Sequence, residues 1–407
     1  MEHHFVDAME KALGWIGPEK LGKEFVRGAL DDPGLCARIL TPSHLLDLVM
    51  RRSLTSPQFR VFQGGSEIHP SRFLEDATSR RGQSVRIADM RRLGRLLRSG
   101  CTLVLDQTDF FDPTMEVVCR ALQWWSRELV QVNAYLTTQA TEGFPLHWDD
   151  HEVVIVQLAG DKDWEVRRCS RVAPMYRDAE PNDTPPDEIL WSGTLHAGEI
   201  MHLPRGYWHR ASRTDRGDGF SLHATFGFVK RTGVSWLTWL ADQSRREELF
   251  RHDLERDALH GPQQTDELLA SLTSLAAGYP IGKFLESREY ERETCRHVPE
   301  LDLLGDADSV VCVADFPPRT ENKGEFIEVI SGGRRITFAP AAAPALEFLL
   351  SGAPAHLGQI RERTGLDVAQ LAKILMEEEI CAPLTPELSS GYTGLTTNGV
   401  SSKSPTS

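Results

Sequence analysis

The chain has 407 residues, of which 40% are hydrophobic and 26% charged, and its 45 Lys and Arg against 59 Asp and Glu give a formal charge of -14. That length is too great for one ordinary core, and the composition excludes a disordered or fibrous protein. The acidity opposes the electrostatic attraction on which nucleic-acid binding depends, so no nucleic acid is expected; a basic protein or peptide is the compatible partner.

No segment approaches the roughly 20 uninterrupted apolar residues of a membrane span. The opening MEHHFVDAMEKALGWIG lacks the basic-then-apolar order of a signal peptide, and a cytoplasmic location is expected. The seven cysteines are scattered and never form a CxxC pair, which predicts small core residues in a reducing compartment, not disulfides or a zinc knuckle.

In chain order, SHLLDLVMRR predicts a helix with Ser43 as its N-cap. SVRIADMRRLGRLLRSG predicts a helix closing on Gly100, and CTLVLDQ a short strand. PTMEVVCRALQWWSREL reads as a helix leading into the alternating strand VQVNAYLTT. From Val132 to about Lys230, short strands separated by turn signals predict an antiparallel barrel or sandwich, interrupted by the loop MYRDAEPNDTPPDEILWSG.

After Lys230 the spacing becomes helical in SWLTWLADQSRREELFRHDL and TDELLASLTSLAAGY. Residues 300–388 read as a hairpin, EFIEVISGGRRITFAP, followed by three short helices, an order resembling a winged-helix domain. Glu377, Glu378 and Glu379 end the last long helix, so this unit is expected to contact protein and not DNA. The polar stretch 389–407 is too poor in large apolar residues to offset its ordering entropy and is expected to be a disordered tail.

The chemistry lies in FPLHWDDHEVVIVQLAGDKDW. Residues two apart on a strand share a face, so His147 and Asp149 can converge on one metal ion while Trp148 faces away. AGEIMHLPRGYWHRAS turns at Gly198 and again at Pro204–Gly206 before reaching His209. Two histidines and one carboxylate leave open positions on a metal and are the ligand set of non-heme Fe(II) oxygenases.

With NAYLT, AGEIMHLPRGYWHRAS and SLHATFGF, this stretch resembles the JmjC-type cupin oxygenases, most closely the ribosomal oxygenase branch. The resemblance covers about residues 60–235. It implies an α+β fold: a double-stranded β-helix (jelly-roll, cupin) barrel with helical N-terminal elements over 1–234, a helical dimerisation region over 235–299, and a winged-helix-like C-terminal domain over 300–388. It implies Fe(II) on His147, Asp149 and His209, 2-oxoglutarate as cosubstrate with Lys162 of LAGDKDW on its distal carboxylate, and dioxygen as oxidant. Asn133, Tyr135 and Ser221 become candidate cosubstrate-binding residues by the same resemblance.

Trp148 departs from the tyrosine common in relatives, and His151 follows the ligands at a position where other side chains are common. His151, His196, His202 and His223 read as ordinary hydrogen-bonded histidines. The expected activity is hydroxylation of a side chain in a protein or peptide, a ribosomal protein among the candidates, by a homodimer. The alternatives are a tailoring hydroxylase of an amino acid or biosynthetic peptide, an N-methyl-lysine demethylase, and a noncatalytic cupin acting as a ligand sensor.

Overall fold

The computed structural model describes every residue except 33, 177–181, 257–259, 292–295, 299–304, 306 and 397–407. The alternating segments form two antiparallel layers. Eight strands in the spatial order Val26–Ala29, Glu199–Leu203, Glu152–Gly160, Phe220–Val229, Leu129–Thr138, Thr102–Leu105, Phe59–Gln63 and Ser66–Glu67 make the larger sheet. In the smaller sheet, Lys162–Arg167 lies between Ile189–Leu195 and Trp208–Ser212.

EVVIVQLAG is almost uninterruptedly apolar because both of its faces are covered. Val153 and Ile155 pack between the sheets with Trp164, Val166, Met201 and Leu203. Val154, Val156 and Leu158 face the other way, into a core shared with the N-terminal helices and Pro113–Ser126. The latter helix begins with Asp112 capping the Met115 N–H and Pro113 at its first position, a start that costs no backbone donor.

Local details differ from the sequence expectation. The helix Pro42–Arg51 is capped by Thr41 and not by Ser43, whose place is inside the first turn. SVRIA is a strand paired with Leu74–Thr78, and the helix starts only at Met90, where Asp89 accepts from the Arg91 and Arg92 N–H groups. The end of the predicted loop, Ile189–Leu195, pairs with Lys162–Arg167, and its Asn182 is buried, accepting from the Ser170 and Arg171 N–H groups and donating to the Gly206 carbonyl.

Three helices follow the barrel, Gly233–Ser244, His260–Gly278 and Ile281–Tyr290. Among the described residues no single helix is long and apolar enough to cross a membrane. Beyond them, the predicted hairpin is present as Ile327–Ser331 and Arg334–Phe338, and Ala343–Leu349, Leu357–Thr364 and Val368–Glu377 are the three helices, around a second core that also takes in Trp124 of Pro113–Ser126.

The expected disordered tail is not disordered at its start. Ser389–Thr396 fold back onto the barrel domain: Tyr392 and Leu395 are fully buried, the His4 N–H donates to the Leu395 carbonyl, and Thr114 and Ser390 hydroxyls bond to each other. Two large apolar side chains find a ready-made groove between the first helix and Pro113–Ser126, which composition alone does not reveal. Residues 397–407 lie outside the described residues. Among the described cysteines all six are free thiols, five of them buried; Cys295 lies outside the described residues.

Candidate active site

His147 and Asp149 do not lie on a regular strand. They occupy the extended approach to Glu152–Gly160, so the two-residue spacing works through loop geometry. Three backbone hydrogen bonds brace this approach against the strand that carries the third residue. The His147 N–H donates to the His209 carbonyl (3.1 Å), the His209 N–H to the His147 carbonyl (2.7 Å), and the Gly206 N–H to the Asp149 carbonyl (2.9 Å). Gly206 has a φ of +83°, and a Cβ there would approach Pro174 to 2.4 Å, which explains the glycine in this turn.

The result is one cluster: potential ligand atoms of His147, Asp149 and His209 lie within 4.8 Å of one another, with His209 Nε2 3.6 Å from Asp149 Oδ2. His147 Nδ1 bonds the Pro145 carbonyl (2.8 Å) and His209 Nδ1 the Tyr207 carbonyl (3.0 Å). A carbonyl can only accept, so each Nδ1 carries the proton and each Nε2 presents a lone pair, the arrangement metal-binding histidines use. Burial, reinforced by the neighbouring His147, lowers the His209 pKa to about 4 and keeps that imidazole neutral. The donor set therefore fits a divalent ion bound on one side only.

These three side chains open into a cavity of about 300 Å³ between the sheets. Lys162 is part of its lining, yet the residue is almost fully buried and its Nζ donates to Thr137 Oγ1 at 2.5 Å. Among the described residues no carboxylate pairs with it directly. Burial, then the charge of Arg213, pulls its pKa down to about 7. A buried ammonium facing a cavity is a strong site for an incoming carboxylate, since the anion replaces the missing counter-charge.

Asn133 and Tyr135 also line the cavity, on the strand Leu129–Thr138. Asn133 Oδ1 accepts from the Gln107 N–H (3.0 Å), and burial raises the Tyr135 pKa, leaving the phenol protonated. Ser221 is buried but does not reach the cavity lining; its hydroxyl accepts from Gln157 Nε2 at 2.8 Å.

Two residues on the same strand as Ser221, His223 and Thr225, do line the cavity. His223 stacks on Tyr135 with ring centroids 4.7 Å apart, and its Nδ1 has no hydrogen-bond partner among the described residues. It is thus not the satisfied core histidine that its place in an apolar strand predicts. Burial, then the Lys162 charge, holds its pKa well below the ordinary imidazole value. The signal for it was available: His223 and Thr225 share a strand face with Ser221, two and four positions on. His202 and His196, in contrast, are engaged as expected, His202 Nδ1 donating to the Glu24 carbonyl and His196 bonding Asp161.

Sequence reasoning also missed Arg60, which lies on Phe59–Gln63 outside the predicted strands. It lines the cavity and makes a bidentate pair with Asp106 at 2.8 and 3.0 Å.

Residues 107–234 match the JmjC domain family. The chain is 33% identical over 142 residues to ribosomal oxygenase 1 of Gallus gallus, an alignment spanning 34% of this chain and 23% of that protein. It is 32% identical over 131 residues to the bifunctional lysine-specific demethylase and histidyl-hydroxylase NO66 of Dictyostelium discoideum, spanning 31% of this chain and 25% of that protein. The matched part thus spans about a quarter of the length of these curated relatives.

Among solved structures, the Escherichia coli ribosomal oxygenase YcfD superposes with a TM-score of 0.55 at 17% identity, covering 94% of this chain and 99% of that one. A YcfD structure in complex with cobalt and 2-oxoglutarate matches with a TM-score of 0.54 at 18% identity, covering 93% of this chain and 97% of that chain. At these identities the likeness shows the fold. Residues 107–234 are thus similar to the JmjC domain and to part of ribosomal oxygenase 1, and the fold is shared with YcfD.

Proposed function

We propose that this protein is an Fe(II)- and 2-oxoglutarate-dependent oxygenase that hydroxylates a side chain of a protein or peptide. The observation that carries the reading is the meeting, in one cavity, of the His147–Asp149–His209 cluster and the buried, carboxylate-free Lys162. A noncatalytic ligand sensor has no use for that open ligand set.

When bound, iron and 2-oxoglutarate would supply the oxidising chemistry, with dioxygen consumed and succinate and carbon dioxide released. The chain's part is binding and placement. His147, Asp149 and His209 would hold the ion from one side, and Lys162, backed by Thr137, would anchor the far carboxylate of the cosubstrate. Asn133, Tyr135 and His223 wall the same space, and Phe144, Ile155 and Trp164 give it an apolar side.

A larger groove shares Phe144, Trp164 and Ala211 with this cavity and adds Glu142 and Asp215, along with Asp163 and Glu165, which are paired with Arg216 and with Arg167 and Arg210. Its extent supports a peptide over a free amino acid, and its charge supports a basic one. The Gallus gallus relative of this domain bears the name ribosomal oxygenase 1, so a basic ribosomal-protein segment is the first substrate to test. The Dictyostelium relative's name covers both lysine demethylation and histidine hydroxylation, and release of formaldehyde distinguishes the two outcomes.

The three helices after the barrel support a homodimer: they bury only Leu240, Leu275 and Phe284, while Val234, Leu237, Leu269 and Leu272 stay exposed. Sedimentation of wild type and Leu237→Glu tests that assembly. The winged-helix-like unit is proposed as a protein-contact module, and the setting as cytoplasmic.

The function is tested by anaerobic loading with Fe(II), followed by succinate formation from 2-oxoglutarate on admitting oxygen. Turnover lost in His209→Ala, and a weakened 2-oxoglutarate affinity in Lys162→Ala, support the oxygenase. Binding of 2-oxoglutarate that is indifferent to iron, with no succinate even when candidate peptides are added, overturns it.

A further inference from the structure

Acidic residues outnumber basic ones after the barrel, yet one cleft there gathers several cations. On Ile281–Tyr290, residues Lys283, Glu286, Ser287 and Tyr290 recur at helical spacing and share one face. Trp239 and Gln243 do the same on Gly233–Ser244, with Arg246 just past its end.

The hairpin of the C-terminal unit faces them. Its turn uses Gly332 and Gly333, with φ of +55° and +76°, so that Arg334 and Arg335 follow directly at the tip. The Gly333 N–H donates to the Tyr290 carbonyl at 2.6 Å, which ties the hairpin to the helix. Between them lies a cleft of about 310 Å³.

Five cations, Arg246, Lys283, Arg319, Arg334 and Arg335, line this cleft against two carboxylates, Glu286 and Glu291. Three of the cations have acidic neighbours: Arg319 meets Glu286 and Glu321, Arg335 meets Glu328 at 3.3 Å, and Arg334 stands 3.6 and 3.8 Å from Glu379 and Glu378.

Arg246 and Lys283 differ. Among the described residues neither has a carboxylate partner, and both converge on Tyr279. Arg246 donates to its hydroxyl at 3.4 Å, and the Lys283 ammonium stands 4.4 Å from its ring centre.

We infer that this cleft between the helical region and the C-terminal hairpin binds a small phosphate-bearing anion, with Arg246 and Lys283 as its anchors. Guanidinium forks match the paired oxygens of a phosphate, and a polyphosphate offers more acceptor oxygens and charge than one carboxylate can give to five donors. The faces of Tyr279 and Tyr290 are taken by Lys283 and Arg319, so the cleft offers charge and hydrogen bonds instead of a stacking surface for bases. Overall acidity, and the carboxylates paired with Arg319, Arg334 and Arg335, work against a long polyanion, while a small anion can bind directly between Arg246 and Lys283, which no described carboxylate neutralises.

The test is calorimetric titration of metal-free, full-length protein with inorganic pyrophosphate at physiological salt. The expected result is saturable binding, weakened at least about tenfold by Arg246→Ala combined with Lys283→Ala and unchanged by Lys162→Ala. ADP competing with pyrophosphate identifies a nucleotide as one source of the same group, and failure to compete identifies a free polyphosphate. Absence of saturable binding at millimolar pyrophosphate overturns the inference. So does binding that survives the double substitution but is lost in Lys162→Ala, or capture of a single-stranded RNA when neither small anion binds. Both substituted side chains are exposed, and a thermal melt matching wild type confirms that the double variant is folded.

Discussion

His147 and His209 meet across a reciprocal pair of backbone hydrogen bonds, each N–H donating to the other's carbonyl at 3.1 and 2.7 Å. Their ring centroids are 4.4 Å apart, so a loop and a strand separated by sixty residues of chain act as one ligand frame. Replacing either histidine with alanine removes a donor from that frame. Metal affinity should fall by more than the roughly 10- to 100-fold that loss of an outer partner costs. Metal content after dialysis measures this, with succinate formation falling in parallel.

Gly143 controls the same frame without touching a ligand. A Cβ at this position would lie 1.8 Å from the Ala211 carbonyl oxygen, so Gly143→Ala must push the His147 approach away from the His209 strand. The expected outcome is weakened metal binding in a protein that still folds, read by metal titration beside a circular-dichroism melt. Unchanged metal affinity would mean that the approach can shift independently of its ligands.

Lys162 makes stability and ligand binding depend on pH. Its folded-state pKa is lowered to about 7 from 10.5, chiefly by burial. Between these values the unfolded chain binds more protons than the folded one, so this residue's contribution to stability rises as pH rises through the window. Below the window the cost of burying the ammonium is fully present. Denaturant unfolding should therefore show Lys162→Met gaining on wild type most near neutral pH and least near pH 10. At pH 8, a carboxylate binding to Lys162 should draw a proton from buffer, seen as calorimetric heats that depend on the buffer's ionisation enthalpy, and Lys162→Met should abolish that uptake.

His223 and Ser221 separate cavity from scaffold. His223 lines the cavity with an unpartnered Nδ1, while Ser221 is held by Gln157 away from it. His223→Leu is expected to raise the KM for 2-oxoglutarate roughly 2- to 10-fold, the scale of one hydrogen bond. Ser221→Ala should leave that KM nearly unchanged. The reverse ranking would return Ser221 to the cosubstrate site.

Leu395 belongs to the main core although it comes from a stretch that composition marks as disordered. Leu395→Ala should cost about 2–5 kcal/mol, as other buried leucines do. Chemical denaturation measures the loss, and a change below about 0.5 kcal/mol would show that the stretch does not dock in solution.

Much of the site was legible because its chemistry is local. HWD and the later histidine are recognisable from residue type and from the turns at Gly198 and Gly206, and LAGDKDW places Lys162 at the start of the next strand. Arg60 was not legible: it pairs with Asp106, 46 residues away, and belongs to a short strand with no alternating pattern of its own. The Thr41 cap and the SVRIA strand were misread for a related reason. Each depends on which of two neighbouring possibilities tertiary packing favours, and local propensity separates those by little.

By itself the amino-acid sequence determined which side chains could carry chemistry and where the long strand-forming runs Leu129–Thr138, Glu152–Gly160 and Phe220–Val229 lie, since residue type and periodicity are properties of the chain alone. Only the tertiary structure decided that His147, Asp149 and His209 converge within 4.8 Å, that Lys162 faces the same cavity without a carboxylate partner, and that His223 and not Ser221 borders it. Those outcomes follow from strand register and from the bracing of one loop against a distant strand. Such long-range pairings have their energy only once the sheets have formed.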